Sequence, residues 1–578
     1  MKTNNLLFIF FLLLSCSEPN KSGEIEDTQL EIEWKALDQT IFDDAEKEHK
    51  LVLLDIGANW CHWCHVMDEK TYADPAVQEF LNEHFILARE DQDSRPDLYA
   101  KYRTWGWPAI IVFNKDKEEL LRLKGYQEKN KFLDKLQEVI DNPKPLSDNA
   151  ITQSSLNADA SELLRKFIQR IDHQKGMYHQ NHKYIEPYGV ALGIQHYNND
   201  SLKKWTDLTI RNSYALVDPI WSGAYQYSTR KSWNNQHYEK LLRVQANYMM
   251  TYAKYAAKAG DKKALEIAEG IYNYCVTYLR QGSAFYNSQN ADVIPGSDSK
   301  AYYESSESER LEIGVPSIDE SIYTKENMML GKALIYLWAA SGKDTYLKDA
   351  VELESYFYDN ILQVSGLFNR QVGADQIILS LDDNLKALEF LMLLYQATGK
   401  ISSDLTLMGK TLIQKFDSEK GLLASITAGS PLSAAVVQKT NLEAVLTLNL
   451  LGHLTDEKLF IDYAKELYSK LDQQQLAKIT SNLPLLYRAQ IELNEEPYHA
   501  VFISDGKDQI QALSFYRQIL CGSNSYILFE SIQPKDFNEE QKMLYGGTSS
   551  GTLFMCTSNF CSAPIRDNLG LQEFLDSN

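Results

Sequence analysis

The sequence predicts a multidomain protein: a small α/β domain, then an all-α (α/α)6 toroid, then a small C-terminal α/β appendage. Three observations predict it. Residues 33–143 alternate short apolar runs with amphipathic stretches, the pattern of strands and helices in turn. Residues 158–495 repeat one helix–turn–helix plan at a spacing of about sixty residues. After residue 496 strand-like and helix-like segments alternate again. The 578 residues are too many for one core, which agrees with several domains.

The chain opens with "MKTNNLLFIFFLLLSC". Lys2 precedes an apolar run from Leu6 to Leu14, too short to span a bilayer and shaped like the apolar centre of a signal peptide. Leu13-Leu14-Ser15-Cys16 resembles a bacterial lipobox. That resemblance implies a signal over 1–15, acylation of Cys16, and a polar tether over 16–32. An ordinary cleaved signal is the alternative, and either way the protein is exported. Ser17 points to the outer membrane, facing the periplasm or the cell surface. The formal charge of -21 argues against a general nucleic-acid binder, which needs a basic face.

Within 33–143, "KLVLLDIGA" (50–58) reads as a buried strand. "DPAVQEFLNEHF" (74–85) starts a helix at Pro75. "FILARED", "AIIVFN" (109–114) and "KEELLRLKGY" read as three further strands, and "NKFLDKLQEVIDN" as a closing helix. Residues 144–157 are a linker of prolines and small polar residues.

In 158–495, tight polar turns fall near 199, 260, 342, 399 and 455. Five such hairpins plus a helical stretch over 475–494 suggest six pairs, enough to close a ring around a central pocket; an open solenoid is the alternative. The links between hairpins are long: 217–238, 281–325, 363–383 and 417–440. In an antiparallel stack they emerge on one face, where repeat proteins place binding residues. Residues 496–578 read strand, helix, strand and a short tail.

Chemistry concentrates at "ANWCHWCHVM" (58–67). Cys61 and Cys64 are two residues apart at the start of an expected helix, after a strand that carries Asp55. A thiolate there is stabilised by free main-chain N–H groups and by His62 and His65. Cys61 is then the nucleophile and Cys64 the resolving thiol of a disulfide exchange. Metal binding by the two cysteines and two histidines is one alternative, though no second ligand cluster follows at zinc-finger spacing. A purely structural pair is another. Strand, W-C-x-x-C, a strand acid and Trp107-Pro108 before a strand together resemble thioredoxin. By that resemblance Trp60 precedes the nucleophile, Asp55 is the proton acceptor, and Pro108 is a cis-proline facing the dithiol. The partner implied is a protein thiol or disulfide.

A longer resemblance covers nearly everything after residue 32. "CHWCHVMDEKTYADPAVQEFLNEHF", "DQDSRPDLYAKY", "WGWPAIIVF", "GAYQYSTRKSWNNQHYEKLL", "FYNSQNADV", "LDDNLKALEFLMLLYQATG" and "MCTSNFCSAPI" resemble the spermatogenesis-associated protein 20 family. The resemblance implies a thioredoxin-like domain fused to a six-hairpin, glycosidase-like toroid, without a proven reaction. Asn290 and Asn384 stand where the family has Asp and Tyr, and the Asn290 change weakens a catalytic reading of that loop. The matched segments place Tyr225, Trp233, His237, Glu239, Asp292, Asp382 and Asp383 on the long-link face. Aromatic rings stack on sugars, and paired carboxyls hydrolyse glycosides, so these seven are candidates for a carbohydrate pocket. The alternative is that they cap helices and satisfy buried loops. Cys556 and Cys561 are candidates for a disulfide, while Cys275 and Cys521 read as buried apolar residues. No phosphate-cradling loop appears, so no cofactor or metal is expected.

Overall fold

The computed structural model describes residues 32–104, 106–146, 153–294, 296–297, 299–522 and 526–577. The signal segment, Cys16 and nearly all of the tether lie outside the described residues.

The N-terminal domain is built on β1 (Leu51–Gly57), whose side chains alternate between two cores. Val52, Leu54 and Ile56 pack with Ile41, Phe42 and Ala45 of α1 (Gln39–Glu48). Leu53 faces the other way, against Met67 of α2 (His62–Met67) and Val77 and Leu81 of α3 (Pro75–His84). The sheet runs β2-β1-β3-β4. β2 (Phe85–Asp91) pairs parallel to β1; β3 (Ala109–Phe113) and β4 (Glu119–Lys124) complete it antiparallel. α4 (Pro96–Tyr102) and α5 (Lys129–Asp141) close a thioredoxin-like domain. Two helices are additions to the sequence reading. α1 is capped by Asp38, which accepts the main-chain N–H groups of Thr40 and Ile41, and α4 has Pro96 at its first turn.

The toroid has an inner and an outer ring. The inner ring is α7 (Pro187–Gln195), α9 (Leu242–Ala259), α13 (Thr324–Ser341), α15 (Leu381–Thr398), α17 (Gln438–Thr455) and α20 (Leu483–Glu492). Each packs on the next, and α20 returns to α7. The outer ring is α6 (Ala160–Arg170), α8 (Asp200–Ser213), α10 (Lys262–Tyr274), α14 (Asp344–Ile361), α16 (Leu405–Phe416) and α18 (Lys458–Lys470). Five pairs are the expected hairpins. The sixth differs: α20 takes α6, from the other end of the domain, as its outer partner. The amphipathic α6 buries Leu163 and Phe167 there, so the two chain ends of the toroid close the ring.

The short turns hold left-handed residues at Gly260, Gly342, Gly399 and Asp456, where the chain reverses from inner to outer helix. The long links carry α11 (Ser299–Glu304), α12 (Glu307–Ile313) and short strands. These are β5 (Tyr227–Ser228), β6 (Gln236–His237), β7 (Lys240–Leu241), β8 (Arg280–Gln281) and β9 (Ala284–Phe285). They continue with β10 (Ser288–Gln289), β11 (Ile318–Asp319), β12 (Ile378–Ser380) and β13 (Ser425–Thr427). Pairing of β7 with β10 ties two different links together, and pairing of β10 with β11 folds the second link on itself, so that they form one surface. The N-terminal domain docks on that surface.

After α19 (Gln473–Lys478) and α20 the appendage follows. β14 (Tyr498–Ile503), α21 (Gln509–Gly522), β15 (Ile527–Ile532), α22 (Glu539–Tyr545), β16 (Thr552–Thr557), β17 (Phe560–Cys561) and α23 (Asn568–Ser577) form it. Its sheet order, β15-β14-β16-β17, and its pairing senses repeat those of the N-terminal domain. No Cys-x-x-Cys follows β14, so no chemical marker in the sequence announces this second copy of the topology. It caps the opposite end of the ring. The Tyr516 hydroxyl donates to the Leu393 carbonyl (3.0 Å), and Arg517 Nε to that of Ala339 (3.1 Å), near the C-terminal ends of α15 and α13.

Candidate functional site at the domain interface

Cys61 is the N-cap of α2 and forms a disulfide with Cys64, with Cα atoms 5.3 Å apart. Its sulfur accepts the main-chain N–H of Cys64 at 3.2 Å. A side chain at Gly57 would come within 3.3 Å of the Cys64 sulfur, so glycine at the end of β1 lets the dithiol helix approach the sheet. The Trp107–Pro108 peptide bond is cis. Cys61 is 4 % exposed and packs in one apolar cluster with Trp60 and toroid side chains, whereas Cys64 is half-buried.

Asp55 lies buried under the dithiol on β1. Burial raises its pKa to about 6, although Arg89 donates to it from Nε at 3.0 Å and pulls the other way. Its second oxygen has no partner. Arg89 also binds Asp68 and lies over the Trp34 ring.

Toroid side chains complete the surroundings. His62 Nδ1 lies 2.7 Å from Asp292 Oδ2, and Asp292 also accepts from the Gly296 main chain and from Ser299 Oγ. The bond to Asp292 raises the His62 pKa against burial, and the charges of Asp292 and Glu239 assist. Burial raises Asp292 too, but the His62 and Ser299 bonds prevail and hold it below the usual carboxyl range. Glu239 is buried with one oxygen unpartnered, and its carboxyl faces the main-chain N–H of His62. Burial raises its pKa to about 7. His65 Nδ1 is buried without a partner.

Trp60 Nε1 donates to Asp93 Oδ2 at 2.7 Å, and Asn287 of the toroid donates to the same oxygen at 3.0 Å. Arg370 Nε donates to the Asp93 carbonyl at 2.8 Å. Ser430 donates to Asp97 at 2.9 Å. Asp93, Asn287 and Arg370 were not singled out from sequence. Their partners lie 194 and 277 residues away, and nothing local marks such pairs.

The seven toroid candidates do not share one pocket. Glu239 and Asp292 meet His62. Asp382 lines a cavity at the mouth of the ring, 3.6 Å from Lys325. Asp383, fully buried behind it, accepts from Arg370 at 2.7 Å and caps into the Lys325 main chain. His237 stacks on Tyr227, and burial lowers its pKa to about 4. Trp233 donates to the Lys175 carbonyl. Tyr225 belongs to a buried aromatic cage around Lys240, with Trp221, Tyr274 and Tyr303. The expectation of a single pocket is corrected: of the seven only Asp382 lines the cavity, Glu239 and Asp292 turn to His62 of the other domain, Asp383 enters an ion pair, and Tyr225, Trp233 and His237 are taken up by contacts within the links. Cys556 and Cys561 are directly opposed on β16 and β17 and form a disulfide. Among the described residues no cluster of three or more His, Cys, Asp or Glu side chains is arranged to hold a metal.

Residues 25–154 match the Thioredox_DsbH family model, described as a protein of unknown function, DUF255. Spermatogenesis-associated protein 20 of Homo sapiens is 24% identical over 309 residues, 46% of this chain and 39% of that protein. The match thus spans less than half the length of that relative. Thiol:disulfide interchange protein DsbD of Photorhabdus laumondii is 29% identical over 111 residues, 18% of this chain and 19% of that protein. Among solved structures, cellobiose 2-epimerase from Spirochaeta thermophila has 14% identity and a TM-score of 0.44, over 54% of this chain and 83% of that one.

Proposed function

We propose that this protein is an exported thiol–disulfide oxidoreductase whose dithiol is Cys61 and Cys64 and whose toroid recognises the partner or a glycan. The observation that carries the reading is the dithiol itself, at the start of α2, with Asp55 beneath it and His62 held by Asp292. An imidazolium beside a cysteine favours its thiolate. In the reducing direction the Cys61 thiolate attacks one sulfur of a partner disulfide. That S–S bond breaks, one partner thiolate leaves, and a mixed disulfide forms. Cys64, losing its proton to Asp55, then attacks the Cys61 sulfur and releases the second partner thiolate. Two electrons pass from the dithiol to the partner, and the two protons given up by the cysteines go to the released thiols. The same steps reversed oxidise a partner dithiol.

Burial of Cys61 against the toroid means that a protein partner reaches it only when the interface parts. The DsbD-like stretch supports the redox reading, and the opening sixteen residues support export and anchoring through Cys16. A carbohydrate-active or carbohydrate-binding toroid is the second reading, resting on the closed ring of six helix pairs and on the carboxylates and aromatic rings of its long links. The test is insulin-disulfide reduction by the full chain. Loss of turnover in Cys61→Ser and in Cys64→Ser is expected; unchanged turnover in Cys61→Ser overturns the redox reading.

A further inference from the structure

The cavity between α4 and the toroid mouth is lined by four cationic side chains and three carboxylates. Arg103, at the end of α4, lines it from one domain. Arg243, Lys325 and Arg370 line it from the other. The carboxylates present are Asp93, Glu326 and Asp382. Arg370 is paired with Glu326 at 2.8 Å and with Asp383 at 2.7 Å. Lys325 faces Asp382 at 3.6 Å and Glu326 at 3.9 Å. Asp93 is turned to Trp60 and Asn287; burial and the nearby Glu326 charge raise its pKa, while the charges of Arg243 and Arg370 oppose them. Arg103 and Arg243 have no carboxylate within ion-pair distance among the described residues. Two guanidinium groups, one from each domain, therefore line one cavity without a direct ion pair, Arg243 acting on Asp93 and Arg103 on Asp382 only across a longer gap.

A second, independent observation has the same sign. The inner helices α9, α13, α15 and α17 all begin at this cavity, with Arg243, Lys325, Asp382 and Thr440 in their first turns. Each has 18 residues, so four full helix dipoles present their positive ends to one small volume. Tyr99 reports the resulting field. Burial alone raises a phenol's pKa, yet Lys325, Arg243 and Arg103 together lower that of Tyr99, even with Asp382 opposing them. Lys325 lies 4.8 Å from the Tyr99 ring and Arg103 5.8 Å.

We infer that this cavity is a binding site for an oxoanion, the carboxylate or phosphate head group of a small molecule, held between Arg103 of the N-terminal domain and Arg243 of the toroid. Guanidinium groups bind such groups in paired, planar hydrogen bonds. The free volume is about 30 Å³, on a measure in which one water needs roughly 10–15 Å³. It holds a head group rather than a sugar ring, so the rest of a larger ligand lies along the interface. Because the two arginines belong to different domains, the ligand bridges them and favours the docked arrangement that covers Cys61. This inference does not depend on the redox reading.

The test is thermal unfolding and calorimetric titration of the full chain with inorganic phosphate, with acetate, and with chloride at matched ionic strength. Saturable binding and a rise in Tm with phosphate, acetate or both are expected, with no saturable effect of chloride; which anion binds identifies the head group. Arg243→Gln and Arg103→Gln each weaken that binding at least tenfold while circular dichroism stays that of the wild type. The Arg103 variant, at a helix end on the smaller domain, keeps the test decisive where the Arg243 variant fails to fold. No saturable binding of either oxoanion, or binding that survives in Arg103→Gln unchanged, overturns the inference.

Discussion

His62 and Asp292 meet at 2.7 Å although 230 residues separate them in the chain. His62, one of the two residues between the cysteines, thus has its pKa raised by a toroid side chain. The contact joins two units that the sequence presents as separate domains, and it sits within a surface that covers Cys61.

Replacing Asp292 by Asn removes the charge and the bond that raise the His62 pKa. His62 then titrates at a lower pH than in the wild type, read by NMR of the imidazole protons. The dithiol reduction potential also moves, measured against glutathione buffers. A titration curve identical to the wild type's shows that the pair is not formed in solution.

Glu239 makes domain docking pH-dependent. Its ordinary pKa of 4.5 is raised to about 7 in the fold. A raised pKa gives a contribution present in full below pH 4.5 and lost as pH climbs through 7, roughly 3 kcal/mol at most. The raised His62 pKa acts with the same sign, its contribution fading as pH rises through the folded value. Urea unfolding of wild type and Glu239→Gln at pH 5 and pH 8 checks this. The wild type loses stability relative to the variant on going to pH 8.

Arg370 is 5 % exposed and compensates two buried carboxylates, Glu326 and Asp383. Arg370→Ala leaves Asp383 without an ion-pair partner and Glu326 with Lys325 at 3.9 Å, and also frees the Asp93 carbonyl. The expected loss is about 3–5 kcal/mol in denaturant unfolding. A change below 1 kcal/mol contradicts the pairing.

Gly57→Ala places a methyl group 3.3 Å from the Cys64 sulfur. The helix must give by a few tenths of an ångström, which costs about 1–2 kcal/mol. Thermal unfolding reads the loss in the oxidised protein. An unchanged Tm implies that α2 already stands off from β1.

Cys64 is half-buried and Cys61 is covered. In the reduced full chain iodoacetamide therefore modifies Cys64 before Cys61, the reverse of the order expected from the motif alone. Peptide mass spectrometry after a short pulse distinguishes them.

Much of the architecture was legible in the sequence. The apolar run 50–58 gave β1, and the short turns at 260, 342 and 455 mark hairpins because each reversal needs a residue that tolerates left-handed backbone. The dithiol was legible because its chemistry is local: two cysteines, a preceding Trp and a strand acid all fall within ten residues. The closure of the ring by α6 and α20 was not, since neither helix carries a mark of its distant partner. Nor was the second thioredoxin-like sheet, whose strand order depends on pairings between residues far apart.

The sequence by itself therefore determined the elements, the repeat and the position of the dithiol, because periodicity, turn chemistry and residue spacing act over a few residues. Tertiary structure alone decided that the dithiol faces the toroid, that Asp292 and Glu239 stand beside His62, and that Arg103 and Arg243 share a cavity. Those contacts arise where docked surfaces exclude water and force buried charges to find partners, and a linear pattern carries no record of which charges will be buried together.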